Sequence, residues 1–222
     1  MTDLLPSVIV ETNPQPDAAI IWLHGLGSDG HDFESLVPTL SLSPDLGVRF
    51  VFPHAPKRPV TINGGMEMRA WYDIYEMTLE RKVDMANIDE SYHQIEALIE
   101  DQVQQGILAD RIIVAGFSQG GVIAYQAMLR TKRTLAGVLA LSTYLVNGDA
   151  VSESVDCTNG QTPILIHHGS QDPIVAPVLG TQARDLLVSK GFSVSYQSYP
   201  MPHSVCPEQV NDISVWLNER LA

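Results

Sequence analysis

Arg111-Ile112-Ile113-Val114-Ala115-Gly116-Phe117-Ser118-Gln119-Gly120-Gly121-Val122-Ile123-Ala124-Tyr125 is the stretch on which the fold turns. A short β-branched apolar run enters a Gly-x-Ser-x-Gly pentapeptide and leaves it as a helical pattern that continues to Arg130. Small residues on either side of a serine let the chain turn sharply from strand to helix and leave the hydroxyl exposed at the turn. The pentapeptide alone is modest evidence, since at average glycine and serine usage about one chain of this length in fifteen holds it by chance. The strand before it and the helix after it make it specific.

Working outward, apolar β-prone runs recur at Ala18 to Leu23, Val48 to Phe52, Leu135 to Leu141 and Pro163 to His167. Helical patterns lie between them. Ile88, Tyr92, Ile95, Ile99 and Val103 follow at spacings of four, three, four and four, one apolar stripe on a helix that ends near Gly106. Further helices are expected at Asp32 to Leu42, Gln119 to Arg130, Leu179 to Lys190 and Glu208 to Leu221. Phe192 to Tyr199 reads as the last strand and Leu5 to Glu11 as an antiparallel edge strand. Continuously apolar strands alternating with helices predict an α/β fold: a doubly wound, mostly parallel sheet with helices on both faces. Ligands of such sheets bind at the carboxyl ends of the strands. Pro53 to Ala86 is long for a connection and rich in Gly, Pro, Met and aromatics, and is expected to form an ordered wall over the site.

At 222 residues and 45% hydrophobic, the chain can bury one core, and residues 1–222 read as one domain without repeat or linker. It holds no run near the roughly 18 apolar residues of a membrane span, and its start has no basic region followed by an apolar run. A cytoplasmic location is therefore expected. The formal charge of −13 opposes nucleic acid and stable membrane association, leaving a small-molecule partner as the expectation and a homodimer allowed. Cys157 and Cys206 are too few and too far apart for a disulfide framework or a zinc site, and the seven histidines show no His-Glu-x-x-His pattern. No metal is expected.

A serine hydroxyl is a weak nucleophile until a base takes its proton, so a histidine and a carboxylate must reach the same strand ends as Ser118. After the run Pro163 to His167 comes Gly169-Ser170-Gln171-Asp172-Pro173, and after Phe192 to Tyr199 comes Pro200-Met201-Pro202-His203. Both loops leave carboxyl ends of strands, which makes Ser118, Asp172 and His203 the candidate catalytic residues. Asp149 and Asp156, one connection earlier, are the alternative acids. His167 and His168 close a strand and read as packed residues. Acyl transfer further needs donors toward a developing oxyanion, and the backbone N–H groups of Gln119 and of Leu26, in His24-Gly25-Leu26-Gly27, are placed to supply them.

These residues, with Phe52-Pro53-His54-Ala55-Pro56, Asn63-Gly64-Gly65, Ala70-Trp71-Tyr72-Asp73 and His203-Ser204, resemble the carboxylesterases and acyl-protein thioesterases of the phospholipase/carboxylesterase family. Four separated motifs in order along nearly the whole chain carry the likeness. It implies an α/β-hydrolase fold, hydrolysis of carboxylic esters or thioesters, no metal or organic cofactor, and the triad and oxyanion donors named above. Only Ser142 to Thr162 separates two strands where larger relatives of the fold insert a lid, so an open site is expected. Its walls would be Leu26, Met66, Trp71, Phe117 and Tyr144, an apolar groove for a short or medium acyl chain. The rival readings are an acyl-protein thioesterase or lysophospholipase on the same triad, and a catalytically silent small-molecule binding module.

Overall fold

The computed structural model describes residues 4–79, 81–146 and 158–222. Asp149, Asp156 and Cys157 lie outside the described residues. The strands are β1 (Ser7–Glu11), β2 (Ala18–Leu23), β3 (Val48–Pro53), β4 (Lys57–Val60), β5 (Met66–Arg69), β6 (Ile74–Glu76), β7 (Lys82–Val83), β8 (Ile112–Phe117), β9 (Gly137–Leu141), β10 (Ile164–Gly169) and β11 (Val194–Tyr199). The main helices are α1 (Met85–Gln104), α2 (Gln119–Arg130), α3 (Pro177–Ser189) and α4 (Pro207–Leu221).

Seven strands join in the order β1-β3-β2-β8-β9-β10-β11, with β1 antiparallel at one edge and every other pairing parallel. The side-chain period of two divides the inner strands between two cores. Ala19, Ile21, Leu23, Ile112 and Val114 pack with Ile88, Ile95 and Ile99 of α1, the apolar length of α2, and Leu179, Ala183 and Leu187 of α3. Ala18, Ile20, Trp22, Ile113 and Ala115 pack on the opposite face with Ile213, Leu217 and Leu221 of α4. Each buried valine, leucine or isoleucine among them contributes about 1.5–3 kcal/mol, and strands buried on both faces therefore carry no polar alternation.

The helix expected over Asp32 to Leu42 is instead a 3-10 helix, Glu34–Thr39. Pro38 lies inside it, brings no N–H, and disfavours α conformation at Val37, so the ladder cannot lengthen. Among its described residues, the stretch from Pro53 to Ala86 holds four short strands. β4 pairs with β5 and β6 with β7, both antiparallel. Among the described residues no helix is long and apolar enough to cross a membrane.

The direction of winding reverses at β2, whose neighbours are β3 and β8. A crevice opens outside the carboxyl ends of the strands at such a point. Leu23 of β2 lies opposite Gly116 of β8, so the loop from His24 emerges beside Ser118. Gly169 lies opposite Tyr199, so the loops bearing Asp172 and His203 also emerge side by side.

Candidate active site

Ser118 occupies the turn between β8 and α2 with φ 52° and ψ −117°, a left-handed backbone that a non-glycine residue adopts only when its surroundings impose it. The surroundings are tight. Ser118 N–H donates to the Leu141 carbonyl at 2.9 Å, and the Ser118 carbonyl accepts from Gly121 N–H at 3.0 Å and from Thr143 Oγ1 at 2.6 Å. Gly120 is required by packing: a Cβ there would stand 2.5 Å from the Leu23 carbonyl oxygen of the neighbouring strand.

Asp172 and His203, 31 residues apart, meet through a 2.6 Å bond between Nδ1 and Oδ2. The other carboxylate oxygen, Oδ1, accepts from Ile174 N–H at 2.8 Å and Val175 N–H at 2.9 Å. Burial pushes the Asp172 carboxyl up, but the bonds from His203, Val175 and Ile174 outweigh it and hold the group below the ordinary carboxylate range. An ionised carboxylate only accepts, so the proton of the shared bond belongs to His203 Nδ1, and the Nε2 edge of the ring is the one turned away from the carboxylate. Phe117, next to Ser118, lays its ring 4.6 Å from the His203 imidazole. No hydrogen bond joins Ser118 Oγ to His203 among the described residues.

His24 is buried, which lowers its basicity against an opposing bond to Gly25, so it is neutral. Its Nε2 accepts from Ala55 N–H at 3.1 Å, so Nδ1 carries the proton and donates to the Gly25 carbonyl at 2.7 Å. Gly27 N–H donates to the Arg69 carbonyl at 2.9 Å, and Trp71 Nε1–H to the His24 carbonyl at 2.9 Å. Leu26 is thereby held between pinned residues, half-buried beside the serine turn. Gln119 begins α2, where the first N–H groups of a helix have no partner within it. Its buried side chain accepts from Trp71 N–H at 2.8 Å and donates to the Tyr72 carbonyl at 2.6 Å.

The walls expected of the groove divide. Phe117 is half-buried, while Met66 is 65% exposed on the β4–β5 ribbon. Trp71 is fully buried and offers no surface to a groove, and Tyr144 is only 4% exposed. The physical reason is polar: the Trp71 indole N–H serves the His24 carbonyl, and the Tyr144 hydroxyl meets that of Tyr72 at 2.7 Å. His167 and His168 are packed residues, as their strand position suggests, and His168 Nε2–H donates to the Val175 carbonyl at 2.9 Å. Sequence reasoning missed the Gln119 side chain, Thr143 and the His24 ring as pins, because side-chain bonds to distant backbone leave no local pattern.

A model of the phospholipase/carboxylesterase family matches residues 5–221. An acyl-protein thioesterase 1 of Neurospora crassa is 40% identical over 97% of this chain and 92% of its own length. Among solved structures, Arabidopsis thaliana SOBER1 superposes with TM-score 0.86 at 29% identity, covering 92% of this chain and 99% of that one. Zea mays acyl-protein thioesterase 2 does so with TM-score 0.86 at 26% identity, covering 98% and 99%. With the parallel sheet, the strained serine turn and these likenesses together, the chain belongs to the phospholipase/carboxylesterase family of α/β-hydrolases and is an enzyme of the hydrolase class.

Proposed function

We propose that the protein is a serine hydrolase that cleaves carboxylic esters of short to medium acyl chain through an acyl-enzyme, with Ser118 as nucleophile, His203 as base and Asp172 as the acid that orients it. The observation that carries the reading is the Asp172–His203 pair, in which Nδ1 is engaged by the carboxylate and the ring lies against Phe117, the residue that precedes Ser118. Ser118 Oγ attacks the acyl carbon while His203 Nε2 takes the hydroxyl proton. The carbonyl oxygen that becomes negative is met by the N–H groups of Leu26 and Gln119. As the tetrahedral species collapses, the same proton passes to the departing alcohol or thiol. Water then repeats the sequence on the acyl-serine, with His203 again as base, and releases the acid. A free enzyme need not show the serine–histidine bond, which often tightens only around substrate.

Hydrolysis of a thioester on an acylated protein is the second reading, favoured by relatives named acyl-protein thioesterase 1, such as those of Neurospora crassa at 40% and Yarrowia lipolytica at 33% identity. The half-buried Leu26 and Phe117 are the wall residues kept for the acyl chain in either case. The test is a fluorophosphonate label with purified protein: wild type should be modified at Ser118 and lose activity in step. Ser118→Ala should stay folded, resist the label and lose about 10³- to 10⁶-fold in kcat. Activity within tenfold of wild type in that variant rejects the mechanism, and competition between a small ester and a long-chain S-acyl peptide ranks the two substrate classes.

A further inference from the structure

Arg81 lies outside the reacting groups, yet the structure builds an unusual environment for it. It is 92% buried, at 8% exposure, and its backbone has φ 45°, a left-handed conformation in which glycine or asparagine is more at ease than arginine. Its guanidinium donates from Nη2 to the Ile174 carbonyl at 2.6 Å, reaches Met77 Sδ from Nη1 at 2.8 Å, and lies 4.8 Å over the Tyr144 ring.

The Ile174 carbonyl and the Val175 N–H belong to one peptide unit. A trans peptide is planar, with its C=O and N–H pointing in opposite directions. Arg81 therefore grips one end of a plate whose other end donates to Asp172 Oδ1 at 2.9 Å. A cation on the carbonyl polarises the unit and strengthens the N–H as a donor, since hydrogen bonds in a chain reinforce one another at low local dielectric. Tyr144, whose ring lies under the same guanidinium, meets the hydroxyl of Tyr72 with its own, and the Tyr72 carbonyl is held by Gln119. One side chain thus joins the acid loop to the segment that backs the serine turn.

From this chain of contacts we infer that Arg81 is a positioning residue for the acid, holding and polarising the Ile174–Val175 peptide so that the Asp172 carboxylate is fixed against His203. The inference rests on the proposed triad. It has no counterpart in the motifs, because Arg81 and Asp172 belong to separate segments, and among the described residues no hydrogen bond joins Arg81 to Ser118, Asp172 or His203.

The experiment is a double-mutant cycle on a soluble short-chain ester. Arg81→Gly and Arg81→Asn suit the left-handed backbone, and each is first checked for a cooperative urea transition. In the wild-type background they should lower kcat about 10- to 10²-fold, the cost of a misplacement near 1 Å, with KM within about twofold. In an Asp172→Asn background the same change should cost less than about threefold, since the group it positions is already disabled. A full repeat of the loss in that background, a kcat within twofold of wild type in the single variants, or failure of both to fold would each overturn the inference. Should Asp172→Asn alone keep activity within tenfold, the triad itself falls and the inference with it. Loss in Asp172→Asn with normal Arg81 variants removes only the role of Arg81.

Discussion

Two backbone N–H groups and one imidazole N–H converge on the Asp172 carboxylate, which sits at 5% exposure. A group so satisfied orients as well as charges. Asp172→Asn keeps the shape but offers an amide to His203, which favours the wrong tautomer, and kcat should fall by about 10⁴-fold on a small ester. A loss below tenfold would move the acid elsewhere, to Asp149 or Asp156. At the serine turn, sterics dominate. Gly120→Ala puts a Cβ 2.5 Å from the Leu23 carbonyl oxygen, so α2 must move off β2, at a cost of about 1–3 kcal/mol in urea unfolding together with most of the activity. Gly64 is the contrast. With φ 67° and nothing within 4 Å of a Cβ, Gly64→Ala should cost only the left-handed strain, about 1–2 kcal/mol, and leave kcat unchanged. The pentapeptide marks Gly120 in the sequence, but the contact that forbids a Cβ there is a backbone from another strand, which only the fold supplies.

Among the elements, the segment between β3 and α1 departs furthest from a local reading. Its length and aromatics mark it as ordered, and its described residues form two short antiparallel ribbons. What it does locally is to brace the two places that carry the candidate oxyanion donors. The Trp71 indole and the Gln119 amide tie it to the His24 loop and to the start of α2. Trp71→Phe keeps most of the packing and removes the N–H that serves the His24 carbonyl, leaving a buried acceptor without its partner at about 1–3 kcal/mol. The loop that carries Leu26 then loosens, and kcat should fall by about tenfold, short of the 10²–10³ of losing one oxyanion donor outright. A KM change with intact kcat would return Trp71 to the wall of the groove. The pattern of apolar positions set α1, α2, α3 and α4 to within a few residues, because each buries a stripe against the sheet. It overran at Asp32 to Leu42, where one proline outweighs the stripe.

Across the whole molecule, neutral buried histidines tie stability to pH. Burial lowers His167 to about 4 against an opposing pull from Asp212, and His24 and His168 are lowered by burial as well. The unfolded chain binds the His167 proton near 6.5 and the folded chain only near 4, so the stability from keeping this ring neutral is complete above pH 6.5 and is lost as pH falls toward 4. The amount is about 3 kcal/mol. Urea midpoints across that range should fall steeply in wild type and less steeply in His167→Gln; equal slopes would assign the loss to other groups. Taken by itself, the sequence determined the alternation of strands and helices, the turn at Ser118 and the loops that hold Asp172 and His203. Each is written in a local period or in a residue with unusual backbone needs, which neighbours along the chain suffice to express. Only the tertiary structure decided which of these loops meet, that Trp71 and Tyr144 face inward to polar partners, and that Arg81 reaches the peptide beside Asp172. Those outcomes depend on strand order and register across the sheet, where residues 31, 47 and 93 positions apart come within hydrogen-bond reach.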